Sequence, residues 1–291
     1  MLAGGFSRQV DVRRVSDGRG FVEIPIGGLP IFAFDPLGSG LMTSGPRGIR
    51  QDGLDFEQPE SERLAPRYVV RGARWRSLAF SGDVQYLFAG NLDSNRVYVF
   101  DRTFTNCLGT LGPHTLVDAI AVTRDGSRVA TGSSGKRDVR VWNRVSGSEE
   151  YTTSMGLQSR IALSPDGHWI LVHGDRLELV DLPNRRPSAP LHFPGGWPLA
   201  GAACFSSDNR VLAVVVDQFE VQLFDLANRR PLGRLRTPRE TRMVSLAFSP
   251  DASFLAASTS EGRLRIWNMA RIRQRLAEVN LDWEQAPFPS R

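Results

Sequence analysis

Seven short segments of this 291-residue chain resemble one another at nearly even intervals, and that spacing constrains the fold more than any other feature. They are Leu2-Ala3-Gly4-Gly5, Leu41-Met42-Thr43-Ser44-Gly45, Leu87-Phe88-Ala89-Gly90, Val129-Ala130-Thr131-Gly132, Ile170-Leu171-Val172-His173-Gly174, Leu212-Ala213-Val214-Val215 and Leu255-Ala256-Ala257-Ser258. Their first residues lie 39, 46, 42, 41, 42 and 43 positions apart. Each is a short apolar run of the kind that forms a buried strand. A repeat of this length cannot bury its own apolar faces, so neighbouring units must stack.

The units share an internal grammar. Before each apolar segment comes a strand ending in a turn sequence: Phe34-Asp35-Pro36, Phe80 to Asp83, Val122 to Gly126, Leu163 to Gly167, Phe205 to Asp208 or Phe248 to Asp251. Pro presets φ, Asp bonds the backbone ahead of it and Gly accepts positive φ, so Ser-Pro-Asp-Gly suits a β-turn. After it comes a run alternating with period two: Val97 to Phe100, Val139 to Trp142, Leu177 to Val180, Val221 to Phe224 and Leu264 to Trp267. A polar turn such as Asp225 to Asn228 then leads to a more polar strand, for instance Pro231 to Leu235, expected at the outer edge. Four strands per unit of about 40 to 45 residues describe the blades of an all-β propeller.

These residues resemble the WD-repeat β-propeller family over essentially the whole chain from Leu2 to about Asn268. The family's third strand ends in Trp-Asp, and here the endings are Phe100-Asp101, Trp142-Asn143, Val180-Asp181, Phe224-Asp225 and Trp267-Asn268. The family's Gly-His survives at best as Pro113-His114. Every copy departs from the full dipeptide, so the family's buried Asp, His, Ser/Thr and Trp network is expected to be partial and the blades to depend on apolar packing. The resemblance implies a seven-bladed propeller that docks protein partners on loops leading into the first strands, around a central channel. Here those positions are Trp75, Arg76, Asp118, Arg160, Trp197 and Arg242, with the two tryptophans as expected exposed anchors.

The expected organisation is one propeller domain over 1–268, in units 1–28 (partial), 29–74, 75–116, 117–158, 159–199, 200–242 and 243–268. The first unit starts near the end of its second strand, with 10–13 and 20–25 as its third and fourth. That places the chain as the C-terminal part of a longer protein or reading frame, or as an imperfect or six-bladed ring. Asp52 to Pro66 is a polar, acidic insertion expected to be a surface loop. Met269 to Leu281 places Ile272, Leu276 and Val279 on one stripe and predicts an amphipathic helix docked by that face, within a C-terminal segment 269–283 followed by a tail, 284–291. This ending is similar to the C-termini of bacterial WD-repeat proteins, some of them fused to Ser/Thr kinases. A regulatory or sensory tail of such a protein is the alternative reading, although this chain carries no kinase motif.

Chemistry is mostly excluded. Among 36 basic residues Lys136 is the one lysine, a bias that matches genome composition better than a binding device. The arginines from Arg229 to Arg242 lack interleaved aromatic residues and those from Arg263 to Arg275 have Trp267 alone among them, too few for a base-stacking platform, so nucleic acid is not the expected partner. His114, His168, His173 and His192 are scattered, and Cys107 and Cys204 have no ligand-spaced neighbours, so neither a metal nor a disulfide is expected. Gly132-Ser133-Ser134-Gly135-Lys136 lacks phosphate-loop spacing and sits in a hairpin turn. The chain is thus read as a noncatalytic, cofactor-free cytoplasmic scaffold for protein partners, without a membrane span. It is expected to be monomeric unless the incomplete blade pairs with another chain.

Overall fold

The alternating runs pair into antiparallel hairpins in the order in which they occur. A computed structural model describes residues 2–6, 9–13, 20–25, 31–34, 40–45, 47–54, 64–104, 106–154, 160–173, 177–188, 191, 193, 201–237, 241–261 and 263–283. They fall into two compact units, Met1–Ser159 and Arg160–Arg291.

In the first unit, β1 (Leu2–Phe6), β2 (Gln9–Arg13) and β3 (Gly20–Pro25) form a three-stranded sheet, with β1 at its edge. Three four-stranded sheets follow: β4 (Ile31–Phe34) to β7 (Leu64–Arg71) through β5 (Gly40–Gly45) and β6 (Gly48–Leu54); β8 (Trp75–Phe80), β9 (Tyr86–Asn91), β10 (Arg96–Asp101) and β11 (Cys107–Leu111); and β12 (Val117–Val122), β13 (Arg128–Ser133), β14 (Asp138–Asn143) and β15 (Glu149–Ser154). The second unit holds β16 (Arg160–Leu163), β17 (Trp169–His173), β18 (Leu177–Asp181) and β19 (Arg186–Pro187), then β20 (Ala203–Phe205), β21 (Val211–Val216), β22 (Glu220–Asp225) and β23 (Pro231–Arg236). It ends in a three-stranded sheet, β24 (Met243–Phe248), β25 (Phe254–Thr259) and β26 (Leu264–Asn268), and a helix, α1 (Met269–Glu278). The sheets have the build of propeller blades.

Consecutive sheets within a unit stack face to face, which is why their second and third strands carry apolar residues on both faces. Phe88, Val97 and Val99 of one sheet meet Val117, Val129 and Trp142 of the next. In the second unit Val211, Ala213, Val221 and Leu223 meet Leu246, Leu255 and Ala257. Full burial of one such side chain contributes about 1.5–3 kcal/mol.

The turns after β8, β12, β16, β20 and β24 are each closed by a hydroxyl clasp. Ser81, Thr123, Ser164, Ser206 and Ser249 donate to Asp83, Asp125, Asp166, Asp208 and Asp251 at 2.6, 2.7, 2.6, 2.5 and 2.5 Å. The same hydroxyls accept from the N–H groups of Tyr86, Arg128, Trp169, Val211 and Phe254, at 2.8–3.1 Å. Each aspartate accepts in turn from the N–H two residues on. The residue after the aspartate takes a left-handed backbone in all five turns, with φ of 63° at Val84, 68° at Gly126, 71° at Gly167, 59° at Asn209 and 58° at Ala252. The third-strand ending is also a turn device: Asp101, Asn143, Asp181 and Asp225 accept backbone N–H groups just ahead of them. At Asn268 the same interaction, from Arg271 N–H at 2.8 Å, becomes the N-cap of α1.

Three expectations need correction. One blade keeps a complete polar network: His114 bonds Thr131 Oγ1 and Asp138 Oδ1 at 2.7 Å each, and Trp142 Nε1 donates to Thr131 Oγ1 at 2.8 Å. The acid comes from the start of β14, a position that the worn Trp-Asn ending did not indicate. The insertion is not a loop throughout, because Asp52–Leu54 extend β6 and Leu64–Pro66 extend β7, with Asp52 opposite Pro66. Asp52 is fully buried and is held by Arg50 at 2.9 and 3.0 Å; residues 55–63 lie outside the described set. Val279 does not dock. It caps α1 at 61% exposure, while Met269, Ile272 and Arg273 turn inward. The chain turns back at Leu281, whose N–H donates to Leu276 O, and brings Asp282 and Trp283 onto Arg273. The tail 284–291 lies outside the described residues.

Candidate functional site

The loops entering β8, β12 and β24 end in β-bulges. The registers of β8 with β9, β12 with β13 and β24 with β25 shift between Trp75 and Ser77, Val117 and Ala119, and Met243 and Ser245. The extra residues are therefore Arg76, Asp118 and Val244, and a bulge re-aims such a residue out of the ladder. Two of these were expected from the sequence. Val244 was missed, although it follows Met243 as Arg76 follows Trp75, because an apolar residue gave no chemical reason to single it out.

In the first unit the bulge residues satisfy each other. Arg76 Nε donates to Asp118 Oδ1 in a short contact, and Asp118 Oδ2 accepts from Ser134 N–H at 2.9 Å. Trp75 is not an exposed anchor. Its ring is 8% exposed, its Nε1 donates to Gly72 O at 2.9 Å, and it meets Tyr98 and Phe100 edge-on at 5.3 and 6.2 Å. A left-handed Ala73-Gly72 loop folds over it, so the indole packs beneath its own turn.

The second unit presents the opposite electrostatics. Arg160 opens β16 and Arg242 immediately precedes β24. Arg160 Nη1 donates to Val244 O at 2.8 Å, tying the bulge of β24 to the first residue of β16, two sheets earlier in the chain. Burial, and then the charge of Arg242, hold the Arg160 guanidinium below its ordinary pKa. Neither arginine has a carboxylate within ion-pairing distance among the described residues. Two guanidinium groups that repel each other at a strand entrance favour an incoming anion. Trp197 lies outside the described residues.

Residues 105–143 and 229–268 match the family model of the WD domain, G-beta repeat. The first span contains the complete His114 network and the second ends at the N-cap of α1. Both spans are WD repeats. The WD-repeat chain is also similar to a Drosophila melanogaster protein described as Protein LST8 homolog, with 24% identity over 208 residues, covering 68% of this chain and 65% of that relative. It therefore spans about two thirds of the length of the relative it matches. Among the described residues of the WD-repeat chain, no three His, Cys, Asp or Glu side chains gather as a metal site, and no helix is long and apolar enough to cross a membrane.

Proposed function

We propose that this WD-repeat chain is a noncatalytic scaffold that binds protein partners through the loops entering its first strands. One observation carries the reading: Arg160 and Arg242 converge beside the exposed Val244, and among the described residues no carboxylate lies within ion-pairing distance of either. A partner that offers an acidic side chain beside an apolar one fits that surface. The shifted carboxylates of the chain support a structural rather than a catalytic use, since Asp125 and Asp101 serve turns and Asp138 serves the His114 network.

The test is a comparison of proteins retained from a native lysate by the full chain and by an Arg160→Glu/Arg242→Glu double variant of equal thermal stability. At least one protein should be retained by the first and lost by the second, with retention weakening as salt rises. Identical retained sets would overturn the assignment of the site.

A further inference from the structure

Leu116 breaks a pattern kept at the entrances to two other first strands. Arg74 precedes β8 and Arg242 precedes β24, and their carbonyls accept the N–H groups of Leu92 and Ser260 at 2.8 Å each. Leu116 holds that place before β12, but the equivalent N–H, from Ser134, donates to Asp118 Oδ2 at 2.9 Å. The bulge carboxylate has taken over the carbonyl's task. The backbone of Leu116 lies at φ 53°, a left-handed conformation that is strained for leucine. Such strain persists where the surrounding structure fixes it, and it gathers at ligand clamps. Here Ser133 Oγ fixes it, donating to Thr115 O while accepting Lys136 N–H at 3.0 Å.

The side chain lies over Gly135. A Cβ at residue 135 would come 2.8 Å from Leu116 Cδ1, so the glycine makes room for the leucine. The contact covers one side only, and Leu116 stays 39% exposed. Lys136 and Arg137, next in the tip of the β13–β14 hairpin, are both exposed. The neighbouring acids are already engaged. Asp118 pairs with Arg76, and Asp138 with His114 and Arg140, which leaves Lys136 and Arg137 with no carboxylate in ion-pairing distance among the described residues.

We propose that Leu116 and Gly135, with Lys136 and Arg137 beside them, dock an apolar side chain of a partner protein whose adjoining residues are acidic. The apolar group covers the exposed part of Leu116, and the carboxylates neutralise the two cations. A second copy of the same surface is a poor occupant, because it would set lysine and arginine against lysine and arginine. The proposal rests on the scaffold reading but uses neither Arg160 nor Arg242, so each surface is tested by itself.

Lys136 is the one lysine of the chain, so isotope-labelled lysine gives a single backbone amide signal, and it reports from the site itself. The probe is a blocked peptide of Glu, Leu and Gly, compared with the same peptide carrying Lys in place of Glu or Ser in place of Leu. The Glu and Leu peptide should shift the Lys136 signal saturably and bind about tenfold or more tighter than either control. Leu116→Gly suits the left-handed backbone, so the thermal midpoint should hold or rise while affinity falls by about tenfold. Gly135→Ala pushes on Leu116, leaves both cations in place and should weaken binding as well. Arg137→Glu should remove the advantage over the Lys peptide, whereas the Arg160→Glu/Arg242→Glu variant should bind the probe unchanged. A Lys136 signal that the probe does not move, or equal binding of the Leu and Ser peptides, would overturn the proposal. So would a dimer of the free chain that Leu116→Gly dissociates, which would show the surface filled by a second copy.

Discussion

At the residue scale, buried polar atoms carry the largest single consequences. Thr131 serves His114, Trp142 and the Arg140 carbonyl of the neighbouring strand at once, so Thr131→Val leaves two buried groups without partners. A loss of about 2–4 kcal/mol in chemical denaturation is expected, against about 1 kcal/mol for an ordinary hydrogen bond. His114 also sets an acid limit. Burial holds its pKa below 6.5, outweighing the pull of Asp138 and Glu149, with Arg140 adding to the depression. The folded state thus prefers the neutral ring, and its contribution is present above pH 6.5 and lost as pH falls through the folded value. Burial alone would raise the Asp138 carboxyl, yet hydrogen bonds from His114 and Arg140 hold it below 3.8, so it stays ionised across that window. The thermal midpoint should fall between pH 7 and about 4.5, and His114→Gln should flatten the fall. The two thiols should also separate: burial pushes the Cys204 thiol up to about 12, while Cys107 is exposed. A maleimide should label Cys107 in the native chain and reach Cys204 only after denaturation.

At the element scale, hairpin chemistry was legible and end chemistry was not. The Ser-x-Asp turns could be read because hydroxyl, carboxylate and left-handed residue sit at fixed offsets. Val84 occupies the left-handed place at φ 63°, where a β-branched residue is strained. Val84→Gly should therefore raise stability by about 0.5–1 kcal/mol, the relief of strain exceeding the entropy glycine loses on folding. The face of α1 was misread because periodicity counts Val279 and cannot anticipate a chain that reverses after Glu278. Arg273 is 3% exposed because Asp282 and Trp283 return to cover it. Asp282→Ala should cost about 2–3 kcal/mol, less than for a fully buried pair because water reaches the carboxylate. Trp75 was misjudged for a related reason: a tryptophan beside Gly72 reads equally as an anchor or as a residue under a loop. The pairing of Arg160 with the Val244 carbonyl joins residues 84 positions apart, which no local pattern reports.

At the scale of the whole molecule, the array of sheets follows from period alone. The reading of 1–268 as one domain remains a proposal with a calorimetric consequence. One cooperative transition, with equal calorimetric and van't Hoff enthalpies, is expected; two separable transitions would instead assign each compact unit its own stability. The hydroxyl clasps bear on how such an array forms. Each joins residues only five positions apart and is complete within one hairpin, so it can form before any neighbouring sheet is in place. The five clasps among the described residues are equivalent starting points and give the chain parallel routes to the native state rather than one obligatory nucleus. Removing a single clasp, as in Ser164→Ala, should therefore speed unfolding while leaving the refolding rate nearly unchanged, because the other four hairpins still begin on time.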